Sequence, residues 1–207
     1  MKKLLFSILI FTSLSSFAVN SDIDIFIENH IEHFNYDSEG DEFASKAPES
    51  LIKYIRKFAE SPIGKIVIRT TIENDVTVGF IQGFYVDDAF QAFDNTIVYT
   101  FEIEKWYENK LIEFPDLPKG ANLHNIELDV LLAHEFGHTG VGRIALGLSV
   151  IDPYVSTSVS TGNVVTTFSR KKIRQEELRA ARLFENAYRT FRNIPLRRSY
   201  YVENDVL

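Results

Sequence analysis

The chain predicts an α+β fold, a small twisted mixed sheet packed on helices, and three observations carry that prediction. Apolar residues recur at helical spacing in an early segment and again near the carboxy end. Between these segments lie runs rich in β-branched and aromatic residues. With 207 residues, 45% hydrophobic and 25% charged, the chain can bury a core as a single domain.

The first element is "MKKLLFSILIFTSLSSFA", in which Lys2 and Lys3 precede an apolar run and small residues end at Ala18. This is the pattern of a secretory signal peptide, too short for a membrane span of ~20 residues. It implies a secreted or periplasmic domain over residues 19–207, with no stable membrane insertion after signal removal. Next, "SDIDIFIENHIEHF" places Ile23, Phe26, Ile27, His30, Ile31 and Phe34 on one helical face. A second helix opens at Pro48 and should bury Leu51, Ile52, Ile55 and Phe58 or Ala59. Three strands are expected at 65–72 ("KIVIRTTI"), 76–86 ("VTVGFIQGFYV") and 95–106 ("NTIVYTFEIEKW"). A loop with Pro115, Pro118 and Gly120 leads to a helix carrying "LLAHEFGHTG", which Asn125 can cap. The stretch 155–168, with Gly162-Asn163 at its centre, reads as a hairpin or a loop. A last helix spans about Ile173 to Arg192, and "IPLRRSYY" leaves it extended.

Composition excludes several functions. There is no cysteine, so no thiolate can bind metal or attack a substrate. A net charge of −7 argues against nucleic acid as a partner. The basic run "SRKKIR" (169–174) reads as the solvated entry to the last helix.

His134 and His138 stand four residues apart, one turn above each other on a helix, and can offer imidazole nitrogens to one zinc ion. Glu135 points elsewhere around the helix, where it can reach a water beside the ion. Gly137 allows another backbone to approach. A third protein ligand is needed, and six residues after His138, where short-spacer zinc proteases place it, stands Ile144. In the last helix Ala180, Ala181, Phe184, Ala187, Tyr188 and Phe191 form an apolar stripe. Glu177 falls inside it, whereas Glu176 and Glu185 fall about 80° and 100° from its centre, where solvent can reach them. A carboxylate on a buried face needs a cation, which makes Glu177 the preferred third ligand, with Asp152 and Glu185 as alternatives. The other role open to Glu177 is a salt bridge to Arg143 or Arg197. His30 and His33 read as structural, and His124 as part of a loop.

"HEFGH" followed by "EELRAARLFENAYRTFRNIPLRRSYY" resembles the effector-type zincin metallopeptidases that bacterial pathogens deliver to hosts. The matching positions are His134, Glu135, His138, Glu185, Asn186, Arg189, Pro195, Leu196, Arg197 and Tyr200 or Tyr201, and the likeness covers residues 94–201. Relatives with an acidic ligand at the short spacing differ here, where Ile144 stands, and many of them lack a signal peptide. The resemblance implies a zincin-like metallopeptidase domain and a protein or peptide substrate, of host or bacterial origin, cut by a monomeric virulence factor. In this reading zinc brings the pKa of water towards ~7 and Glu135 accepts its proton. Tyr200, Tyr201 or His124 would steady the oxyanion, and substrate would pair along Thr96–Phe101. The reading from another class is a secreted zinc-binding module without hydrolysis, which would have no need of Glu135.

Overall fold

Helical spacing and alternation compete at the start of the chain, and strand pairing decides between them. The computed structural model describes residues 22–36, 41–83, 90–100, 127–148, 155–160, 163–168 and 170–197; residues 1–18, where a signal peptide is expected, and Asp152, His124, Tyr200 and Tyr201 lie outside these. Helix α1 (22–29) buries Ile23 and Phe26 but does not continue to Phe34 as its spacing suggests. Residues Ile31–Tyr36 form strand β1 instead. Its neighbour explains the switch: the Val78 amide donates to the His30 carbonyl at 2.8 Å, and Ile31 to Phe34 pair in parallel with Val78 to Ile81. "IEHF" fits both periods, so long-range pairing overrides local preference.

Strand β2 (Glu42–Ala44) runs antiparallel to β1. Helix α2 (Glu49–Glu60) starts after Pro48 and buries Leu51, Ile55, Phe58 and Ala59, with Ile52 half-buried. The strand expected at 65–72 is helical. Helix α3 (Pro62–Glu73) is nucleated by Ser61, whose hydroxyl accepts from the Gly64 amide at 3.0 Å, and by Pro62 in its first turn. It buries Ile63, Gly64, Val67, Ile68 and Thr71, a helical stripe. β-branched residues cost a helix only a few tenths of a kcal/mol each, roughly what one cap returns. The tight corner also requires Gly64, because a Cβ there would lie 2.0 Å from the Phe58 carbonyl oxygen.

Strand β3 (Val78–Gly83) lies between β1 and β5 (Thr96–Thr100), parallel to both, and β4 (Phe90–Phe93) closes the sheet antiparallel to β5. The five-stranded order is β2-β1-β3-β5-β4, a mixed sheet in an α+β fold. Both sides of β5 are therefore taken, and the edge expected at Thr96–Phe101 belongs to β4. Helix α4 (Leu128–Phe136) packs against β4 and α2, with Phe136 stacked on Phe58 at 4.5 Å and Phe80 edge-on to it. Wholly buried rings such as Phe58, Phe80, Phe136 and Phe184 each stabilise the fold by about 1.5–3 kcal/mol. Helix α5 (Gly140–Ala145) starts after a cap by Thr139. Strands β6 (Val155–Ser160) and β7 (Asn163–Phe168) pair as a hairpin. The last helix has three parts: α6 (Arg170–Ala180), a π-helical turn (Ala181–Glu185) and α7 (Asn186–Phe191). Among the described residues no helix is long and apolar enough to cross a membrane.

His33 ties the sheet together: its Nδ1 lies 2.7 Å from the Ser45 hydroxyl and its Nε2 2.6 Å from the Tyr99 hydroxyl. Burial lowers its pKa below the ordinary 6.5. The unfolded chain then takes up a proton first, so the stability from neutral His33 is complete above the unfolded pKa and is lost as pH falls from there towards the folded one. A His33→Gln variant, unfolded by urea at several pH values, is expected to lose stability less steeply than the native chain between about pH 7 and 5.

Candidate metal centre

Two histidines reach one point at the carboxy end of α4. The Gly137 amide bonds to the His134 carbonyl and the His138 amide to the Glu135 carbonyl, both at 2.9 Å, and this turn places His138 after the last helical residue, Phe136. The two rings meet edge to face, 4.9 Å apart, with their Nε2 atoms 3.1 Å from each other. His134, Glu135 and His138 offer ligand atoms within 4.8 Å of one another, and this group could hold a metal ion.

Helix α6 brings a carboxylate to the same point. Glu177 Oε2 lies 3.1 Å from His134 Nε2 and 3.3 Å from His138 Nε2. Adjacent ligand atoms of a tetrahedral ion with bonds of ~2.0–2.1 Å stand about 3.3 Å apart, so the three atoms already have the spacing of one face of such a site. The close approach of the helices depends on small residues. A Cβ on Gly137 would fall 2.9 Å from the Ala180 Cβ and 3.1 Å from its Cα.

A tie beside Glu177 fixes its position. Arg179 donates to the Gly137 carbonyl at 2.8 Å and to Glu176 at 2.7 Å, and Arg143 of α5 donates to the same Glu176 oxygen at 2.7 Å. Arg143 thus pairs with Glu176, and Arg197 with Glu185. The Glu176 tie is only faintly visible in sequence, as opposite charges three residues apart.

Glu135 Oε2 accepts the Ala92 amide of β4 at 2.8 Å. Among the described residues β4 is the last strand of the sheet, so the carboxylate sits between the histidines and that edge. Burial, the strongest influence, raises the Glu135 pKa against the opposing charges of His134 and His138.

Glu185 departs most from expectation. Placed at a solvent-reachable margin by α-helical phase, it is 0% exposed. The π turn is the cause: its one extra residue rotates the rest of the helix by about 100°, bringing Glu185 onto the face that carries Glu177. The same reset leaves Phe191, expected in the buried stripe, 44% exposed. Glu185 Oε2 lies 3.0 Å from His134 Nδ1, on the far side of the ring from Nε2, so it cannot reach the point where the other ligands converge. Burial works against a charge on His134, but the hydrogen bonds to Glu177 and Glu185 and the nearby charge of Glu135 push its pKa up to about 9. Glu185 is likewise opposed by burial and is brought down to about 2 by its hydrogen bond to His134 and the charges of Arg197 and Arg189. His134 thus stands between two carboxylates, Glu177 at Nε2 and Glu185 at Nδ1, which favour a positive charge at this point.

The chain matches no family model, no curated protein and no solved structure. The geometry of the site therefore carries the functional reading.

Arg189 is wholly buried, and its Nε and a terminal nitrogen bond Glu185 Oε1 at 2.9 and 2.7 Å. Removing one partner of such a pair leaves the other charge buried. Arg189→Met is accordingly expected to cost about 3–5 kcal/mol in urea unfolding. His30 and His33 take no part in the centre; His30 donates from Nδ1 to the Val76 carbonyl at 3.0 Å.

Proposed function

We propose that this chain is an exported zinc-dependent endopeptidase with a zincin-like domain. The observation that supports it most is the convergence of His134 Nε2, His138 Nε2 and Glu177 Oε2 within 3.1–3.3 Å, with Glu135 beside them and against the sheet edge. In this proposal His134, His138 and Glu177 hold a single zinc ion. When bound, zinc supplies a Lewis acid that polarises a peptide carbonyl and acidifies water. Glu135, one residue along the helix from His134, takes the proton of the attacking water and returns it to the leaving amine. Strand β4, the last of the described strands, receives an extended peptide along its outer side, in line with Glu135. A protein or peptide substrate, a single-chain enzyme and a role as a secreted effector complete the reading.

The test is metal content and cleavage measured together. The purified chain is expected to carry zinc and to cut members of a mixed peptide pool, to lose both with a strong chelator, and to regain both when zinc is returned. Zinc uptake with no cleavage of any peptide or protein offered would favour the binding-module reading. A chain that takes up no divalent ion would remove the proposal.

A further inference from the structure

We propose that Glu185 is a positioning residue for His134 and that the segment Ile194–Arg197 is its clamp, so that the chain beyond the last helix governs how tightly the ion is held. This rests on the metal-site reading above. Glu185 is completely buried and every side of its carboxylate is engaged: Oε2 by His134 Nδ1 and Arg197, each at 3.0 Å, and Oε1 by two nitrogens of Arg189. With an ion bound, an Nδ1–H donating to Glu185 would leave the Nε2 lone pair to that ion, on the side of the ring that faces His138 and Glu177. A carboxylate behind a ligating imidazole sets both tautomer and orientation in this way.

The clamp is built from the residues just past the helix. The helix ends at Phe191; two residues on, Asn193 turns the chain with a φ of +54°, and the Ile194 amide returns to the Arg189 carbonyl at 3.0 Å. Arg189 then donates to the Pro195 carbonyl at 3.0 Å. Asn186 closes the segment from both directions, donating to the Arg197 carbonyl at 3.0 Å and accepting the Arg197 amide at 2.8 Å. These bonds aim the Arg197 guanidinium at Glu185, which in turn holds His134. Asn186, Arg189, Pro195 and Arg197 thus act as one device, and the π turn is what swings Glu185 into its reach.

The experiment is a titration of the metal-free chain with Co2+ alone, read by visible absorption, with Zn2+ affinity taken from competition against a chelator. Glu185→Gln is expected to weaken metal binding by about 10–100-fold and to shift the cobalt bands, because the imidazole is no longer held in one orientation. Arg197→Met, at the surface end of the clamp and less demanding of the fold, is expected to change affinity in the same direction by about tenfold. Arg192→Met serves as the control: Arg192 pairs with Asp129 and Glu127, away from His134, and its loss should lower thermal stability without moving affinity or spectrum. Native-like affinity and spectrum in Glu185→Gln, or in Arg197→Met where the first does not fold, overturn the proposal while leaving the metal site standing. A native chain that gives no cobalt spectrum overturns the metal site and this proposal together.

Discussion

Glu135→Gln is expected to lower peptide cleavage by about 10²–10⁴-fold while the zinc content stays that of the native chain. The amide keeps the size of the side chain but cannot accept the proton of the attacking water. Its carbonyl oxygen can still receive the Ala92 amide that Glu135 Oε2 receives at 2.8 Å, so β4 and α4 remain in place. The change should therefore fall on kcat, with KM little affected. Steady-state kinetics on a single peptide chosen from the pool, alongside metal analysis of the same preparation, checks it. Equal rates in both proteins would remove Glu135 from the proton transfer.

Glu177→Ala should have the larger effect on the metal. The carboxylate is 20% exposed and within 3.3 Å of both imidazoles, so its removal leaves only the two imidazoles and opens the site to water. Outer partners of metal ligands are worth about 10–100-fold in affinity, and a direct ligand is expected to exceed the upper end of that range. Chelator competition with the native chain, Glu177→Ala and Asp152→Ala side by side separates the two carboxylates. Loss confined to Asp152→Ala would move the third ligand out of α6. Because α6 is held to α4 by Arg179 and Gly137 independently of the ion, Glu177→Ala should keep most of the native stability.

Much of the candidate site is legible in the sequence because its parts are local. Two histidines four apart need only one helical turn to face the same way, and Glu177 emerges from the phase of its own helix. Gly137 and Ala180 are readable as a close approach, since small side chains leave room for a neighbour. The third strand, the Pro48 helix and the hairpin at 155–168 come from residue type and turn chemistry in the same manner.

The misread elements share one feature, dependence on distant partners. "IEHF" becomes a strand because Val78 to Ile81 lie beside it, and "KIVIRTTI", though capped locally by Ser61, becomes a helix because its apolar stripe finds the core. Strand β4 is short and carries no clear strand pattern of its own, yet it supplies the sheet edge that faces Glu135.

By itself the sequence determined the α+β class and the His134-Glu135-His138 spacing, and it made the last helix the preferred source of a third carboxylate, with Asp152 left open. Only the tertiary structure decided which carboxylate meets which nitrogen: Glu177 at Nε2, Glu185 at Nδ1. The reason is rotational phase. A single π turn rotates every later side chain by about 100°, and no local preference in "ARLFE" signals it. Packing against α4, the buried charge of Arg189 and the part-buried one of Arg197 accompany that turn, and those contacts exist only once the chain has folded.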